Sequence, residues 1–135
     1  MTRSVTIADY RALARFRHAL RVFLRFSEDA AREAGLTPAQ HQLLLAIKGH
    51  PSGAEPTMSY LADVLQLRLH SCSELVDRAA ERGLVERTHD PVDQRRCRLH
   101  LTAIGEAKLA ELSVLHRHEL RQFRHEMNDV LRELD

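Results

Sequence analysis

Apolar and polar positions recur with two periods along this chain, and the changes of period mark its elements. From Asp9 to Ala34 the period is helical. Leu13, Phe16, Leu20 and Phe23 form one stripe, widened by Val22 and Phe26, so a long amphipathic helix is expected. Arg11, Arg15, Arg17, Arg21 and Arg25 fall largely off the stripe and read as a solvated face whose stems cover its apolar edge. Gly35 ends the segment. Thr37 is placed to cap the next helix, and Pro38 takes its first position, where a missing N–H is harmless. That helix runs to Lys48, with Leu43, Leu44, Leu45, Ala46 and Ile47 directed into the core. His50 to Pro56 is a loop by composition.

Residues 57–102 carry the densest signals. A short helix is expected from Ser59 to Leu65, capped by Thr57, with Tyr60, Leu61, Val64 and Leu65 on its apolar face. Gln66-Leu67-Arg68 suits a helix-turn-helix corner. The second helix of the pair runs from Leu69 to Arg82 and closes at Gly83, where glycine accepts a left-handed conformation. Its buried stripe is Leu69, Cys72, Leu75, Val76 and Ala79. Its outer face is His70, Ser71, Glu74, Asp77, Arg78 and Glu81. Leu84 to His89 and Arg98 to Leu101 alternate like strands, and Asp90-Pro91-Val92-Asp93 between them has turn chemistry. Helix, turn, helix and hairpin in this order are the plan of a winged helix-turn-helix. The fold class expected is therefore mainly α with a small β-hairpin wing. Beyond the wing, Thr102 caps a long helix. Its apolar face (Ala107, Leu109, Leu112, Leu115, Leu120, Phe123) reaches about Arg124, and a last short helix from Asn128 carries Val130, Leu131 and Leu134.

Charge changes this picture through its distribution. The net charge is +1, so composition by itself does not point to nucleic acid. Around the hairpin, however, Arg87, Arg95, Arg96 and Arg98 stand against Asp90 and Asp93. Arginine at a hairpin tip is attracted by the negative potential of a narrow minor groove. A helix in the major groove sets its N-terminal exposed residues against base edges. That nominates Arg68, His70, Ser71 and Ser73, with Glu74 and Arg78 further along; Glu74 can accept a hydrogen bond from a cytosine amine. In a module this close to neutral, affinity rests on a few placed arginines and on two sites acting together.

Several segments stand in the order of a known family. They are Leu36-Thr37-Pro38-Ala39-Gln40, the helix pair, Gly83-Leu84-Val85-Glu86-Arg87, Asp90-Pro91-Val92-Asp93-Gln94-Arg95-Arg96 and Leu101-Thr102-Ala103-Ile104-Gly105. From about Asp9 onward the chain resembles the MarR (multiple antibiotic resistance regulator) transcription factors. The D-x-R of the wing and the L-T-x-x-G that follows it are the most specific parts. The resemblance implies a single domain. Within it, residues 36–102 form the DNA-binding module, and residues 9–34 and 103–135 form dimerisation helices. It further implies a homodimer on a pseudopalindromic operator, with Arg95 entering the minor groove, held by Asp93, and the helix from Leu69 entering the major groove. The chain departs from relatives at Arg68, where a capping Asp or Ser is common, and at Glu74, often basic. Candidate interface residues are Leu13, Phe16, Leu20, Leu115, Leu120, Phe123, Leu131 and Leu134, because the two end helices carry more apolar surface than a small wing domain covers. A repressor released by a small anionic or phenolic effector is the activity the resemblance implies, with Arg17 or Arg21 as guesses for a carboxylate partner.

Other chemistries find little support. Met1 to Ile7 lacks the apolar run of a secretory signal, and no run is long enough to span a bilayer, so a cytoplasmic protein with no membrane partner is expected. Cys72 and Cys97 are both expected to face the core, which disfavours oxidant sensing. His41, His116, His118 and His125 read as solvated side chains, and no zinc-ligand spacing occurs. No phosphate loop, nucleophile elbow or metalloprotease motif is present, so neither an enzyme nor a cofactor is expected. Two readings stay beside the regulator: a winged-helix protein-interaction module that does not read DNA, and an oxidant- or metal-responsive sensor of the same family.

Overall fold

The computed structural model describes residues 3–89, 91–92 and 97–134. The chain runs α1 (Ile7–Glu33), α2 (Pro38–Lys48), α3 (Met58–Val64), α4 (Leu69–Glu81), β1 (Val85–His89), β2 (Cys97–Leu101) and α5 (Ala103–Glu133). The expected fold class is the observed one. The strands pair antiparallel with Val85 opposite Leu101 and His89 opposite Cys97. The free edge of β2 is covered in part: Leu99 N–H donates to Pro56 O at 3.1 Å, and Thr57 bridges Arg98.

Local chemistry sets the element ends. Thr37 and Gln40 form a reciprocal capping box at α2. Thr6 and Asp9 form another, so α1 begins two residues earlier than the apolar stripe alone predicts. Helices α1, α3 and α4 all close with the same pair of hydrogen bonds, a 6→1 and a 5→2. At α4 these are Leu84 N–H to Ala79 O and Gly83 N–H to Ala80 O, with Gly83 at φ +73°. At α3 the left-handed residue is Gln66, φ +55°, whose side-chain amide also donates to Asp63 O at 2.6 Å. The carbonyl end of α1 is met by two cations: Lys108 Nζ donates to Ala34 O and Arg82 Nη2 to Gly35 O.

The core gathers under the helix pair and the hairpin. Leu43, Leu44, Leu61, Cys72, Val76, Leu84, Leu99 and Leu112 are fully enclosed there. Three expectations are corrected. Leu45 and Leu69 were expected inside and are exposed. On α1, which packs on α5 and α2, the buried residues are Ala12, Ala19, Ser27, Ala30 and Ala31. Small side chains let these helices approach closely, and the larger Phe16, Leu20, Phe23 and Phe26 are left half-buried at the edges. Finally, α5 is one helix. The polar run His125-Glu126-Met127-Asn128 does not break it, because Val130 beyond the run is buried and Glu133 pairs with Arg15 of α1.

Candidate nucleic-acid interface

The corner between α3 and α4 presents a helix start with few internal partners. Arg68 stands at the N-cap with extended backbone and makes no side-chain cap, so the first N–H groups of α4 keep their hydrogen-bonding capacity. His70, Ser71, Glu74 and Arg78 are exposed on α4 and Arg68 before it, while Ser73 is half-buried. His70 Nε2 lies 3.1 Å from Glu74 Oε1, one helical turn away. The His70 imidazole thus occupies one side of the Glu74 carboxylate.

The hairpin is tied to this helix. Arg87 of β1 pairs with Asp77 of α4, so this predicted wing contact already has an acidic partner within the chain. Arg98 is half-buried on β2. On the same strand face as Arg98, His100 is bracketed by carboxylates, with Nε2 3.1 Å from Glu86 and Nδ1 3.4 Å from Glu55 of the loop before α3. Asp93, Arg95 and Arg96, the remaining predicted wing contacts, lie outside the described residues, as does Asp90.

A second feature sits where α1, α2 and α5 meet. A cavity of about 390 Å³ is lined by Phe23, Leu24, His41, Gln42, His116 and Arg117, among others. His41 and His116 were expected in solvent. Instead His41 is 2% exposed and its ring centre lies 4.7 Å from that of His116. His116 Nδ1 donates to Leu112 O at 2.8 Å, and its Nε2 meets Ser27 Oγ at 2.8 Å. Burial, and then the neighbouring His116, lower the pKa of His41 to about 4, so it is neutral at pH 7. Arg17 and Arg21 do not line this cavity; the guanidinium at its wall is that of Arg117. Among the described residues no group of three or more His, Cys, Asp or Glu side chains is placed to hold a metal ion. Cys72 is fully buried and its thiol is pushed up by desolvation, so the reactive thiolate is disfavoured; Cys97 is half-buried, not enclosed as expected.

The MarR family model matches residues 34–96 of this chain. A solved MarR-family transcription regulator overlays with a TM-score of 0.74 at 26% identity, covering 86% of this chain and 75% of that one. Over residues 34–96 the chain is similar to the MarR family. The M. tuberculosis transcriptional regulator MOSR, solved in complex with DNA, is 28% identical over 78% of this chain and 74% of its own, with a TM-score of 0.62. The transcriptional repressor MdtR of Bacillus subtilis is 30% identical over 84 residues, 62% of this chain and 52% of its own length. The chain spans about half the length of the curated relatives it matches. Two features escaped sequence reading. The Arg87–Asp77 tie joins residues ten apart across a helix end, and the His41–His116 pair joins helices that no local pattern connects. No helix of the described residues is long and apolar enough to cross a membrane.

Proposed function

We propose that this chain is a sequence-specific DNA-binding transcriptional repressor that acts as a homodimer on a pseudopalindromic operator. The observation that carries this reading is the outward polar face of α4, with its uncapped N-terminus, tied through Arg87 and Asp77 to an arginine-bearing hairpin. The MOSR–DNA complex and the repressor MdtR support it by likeness. In this reading Arg68, His70, Ser71, Ser73, Glu74 and Arg78 approach bases and phosphates of the major groove. Arg95 and Arg96 reach the adjacent minor groove, with Asp93 orienting Arg95 and Arg98 flanking it. Arg87 orients the wing against α4 more than it contacts DNA, since Asp77 already engages it.

The test is fluorescence anisotropy on DNA taken from beside the gene, at two salt concentrations. Saturable binding that prefers this duplex to a scrambled one and weakens with salt is expected. Arg95→Ala should weaken it by about tenfold or more, because both half-sites lose a minor-groove contact. Equal affinity for scrambled DNA, or no binding by a folded dimer, refutes the reading.

The dimer is formed by α1 and α5. Leu13 and Leu131 are 51% and 64% exposed on the isolated chain, Leu115 and Leu120 are exposed as well, and Phe16, Leu20, Phe123 and Leu134 are half-covered. That apolar surface fits a two-fold interface. Leu131→Glu buries two unpaired charges across such an interface and should raise the dimer dissociation constant by about 100-fold. Sedimentation velocity reads this directly, and an unchanged dimer places the interface elsewhere.

A small anionic or phenolic effector would bind in the cavity between α1, α2 and α5, where Arg117 and the two histidines supply polar partners among Phe23, Leu24 and Leu45. It would release DNA by favouring a dimer shape with a different spacing of the two α4 helices.

A further inference from the structure

We propose that Leu69 reads a thymine methyl group in the major groove and so fixes a T·A pair in each half-site. The inference rests on the DNA-reading role of α4. Leu69 is the first residue of that helix and is 56% exposed, although the helical period puts it within reach of the buried Cys72 and Val76. The reason is directional. The Cα–Cβ bonds of a helix tilt toward its N-terminus, so a side chain covers the turn before its own Cα. At the first position there is no preceding turn, because Arg68 enters with extended backbone (φ −67°, ψ 150°). The Leu69 side chain therefore overhangs the end of α4.

That end is the part of a recognition helix that meets base edges. Apart from Leu67 in the turn, which is less exposed, the groups around Leu69 are polar: Arg68 and His70 beside it, Ser71 next, and Glu74 held 3.1 Å from His70. Arginine, histidine and serine have partners in phosphates and in the hydrogen-bonding edges of bases. A leucine has none of these. The apolar group that the major groove displays is the C5-methyl of thymine. Removing one methyl-sized apolar contact changes affinity by about fourfold per half-site.

A thermodynamic cycle between protein and methyl group tests this. Duplexes bound by the wild-type dimer are selected from a random pool, and the best is resynthesised with each thymine replaced in turn by deoxyuridine. One thymine per half-site should lose about fourfold in affinity for wild type when its methyl is removed. Leu69→Ala, which changes both subunits, should already bind the thymine duplex about 16-fold more weakly, fourfold for each half-site, and should show no further loss at that position. Because Leu69 is exposed, the variant should unfold at the wild-type temperature. If every replacement affects wild type and Leu69→Ala alike, Leu69 does not read a methyl group, while selection of a common sequence still upholds DNA binding. If a folded dimer selects no sequence at all, the DNA reading fails and takes this inference with it.

Discussion

Gly105→Ala is expected to destabilise the protein by about 3 kcal/mol or more, the upper end of what overpacking a rigid site does. A Cβ on Gly105 would overlap the carbonyl oxygen of Leu84 and lie 3.2 Å from its carbon. Neither atom can move alone. Leu84 O accepts from Thr102 N–H, Thr102 Oγ1 donates to Gly83 O, and the same hydroxyl accepts from Gly105 N–H at 3.1 Å. The first turn of α5 is thus seated on the junction of α4 and β1, with backbone against backbone. This gives the Leu101-Thr102-Ala103-Ile104-Gly105 motif a physical content: threonine caps the helix and glycine lets it approach. A fall in melting temperature of roughly 10 °C is the corresponding readout for a chain of this size. An Ala variant that melts with the wild type would mean that α5 does not rest on Leu84.

Mild acid is expected to destabilise the protein through His41. Its pKa is lowered from 6.5 to about 4 in the folded chain, by burial first and by His116 second. The unfolded chain therefore binds the proton more readily at any pH between these values. The contribution of neutral His41 is complete above pH 6.5 and is lost progressively as pH falls toward 4. Each pH unit inside that window removes about 1.4 kcal/mol, so the loss at pH 5 is up to about 2 kcal/mol. The comparison is between pH 7 and pH 5, above the range where ordinary carboxylates titrate. His41→Gln, which keeps a neutral polar side chain beside His116, should show a smaller drop in melting temperature over the same interval. Equal drops in both proteins would remove His41 as the cause.

Much of the architecture was legible because it depends on chemistry acting within a few residues. Thr37 with Gln40, Gly83 after the last turn of α4, and Thr102 ahead of α5 each satisfy backbone groups next to them, and each element ends where those residues stand. Thr6 and Asp9 carry the same T-x-x-acid signal, but the apolar stripe that follows begins only at Leu13, so the stripe alone sets the helix start too late. Alternation also located the two strands of the hairpin, while their register came from the structure. The candidate site was legible in outline: Arg68, His70, Ser71, Glu74 and Arg78 are outward on or beside α4 as expected. The fate of Arg87 was not, because its partner Asp77 belongs to another element.

The sequence by itself thus determined the kinds and order of the helices and strands, and the limits of those whose caps lie next to an apolar stripe. Tertiary structure decided which apolar side chains are enclosed. Leu45 and Leu69 satisfy the helical period and still face out, while the enclosed positions of α1 are four alanines and Ser27. It also decided that His116, half-buried, meets Ser27, 89 residues earlier in the chain, and that His41 gives up its charge beside it. Periodicity reports the side of an element on which a residue lies. What packs against that side comes from elsewhere in the chain, and burial, pairing and pKa follow from that packing.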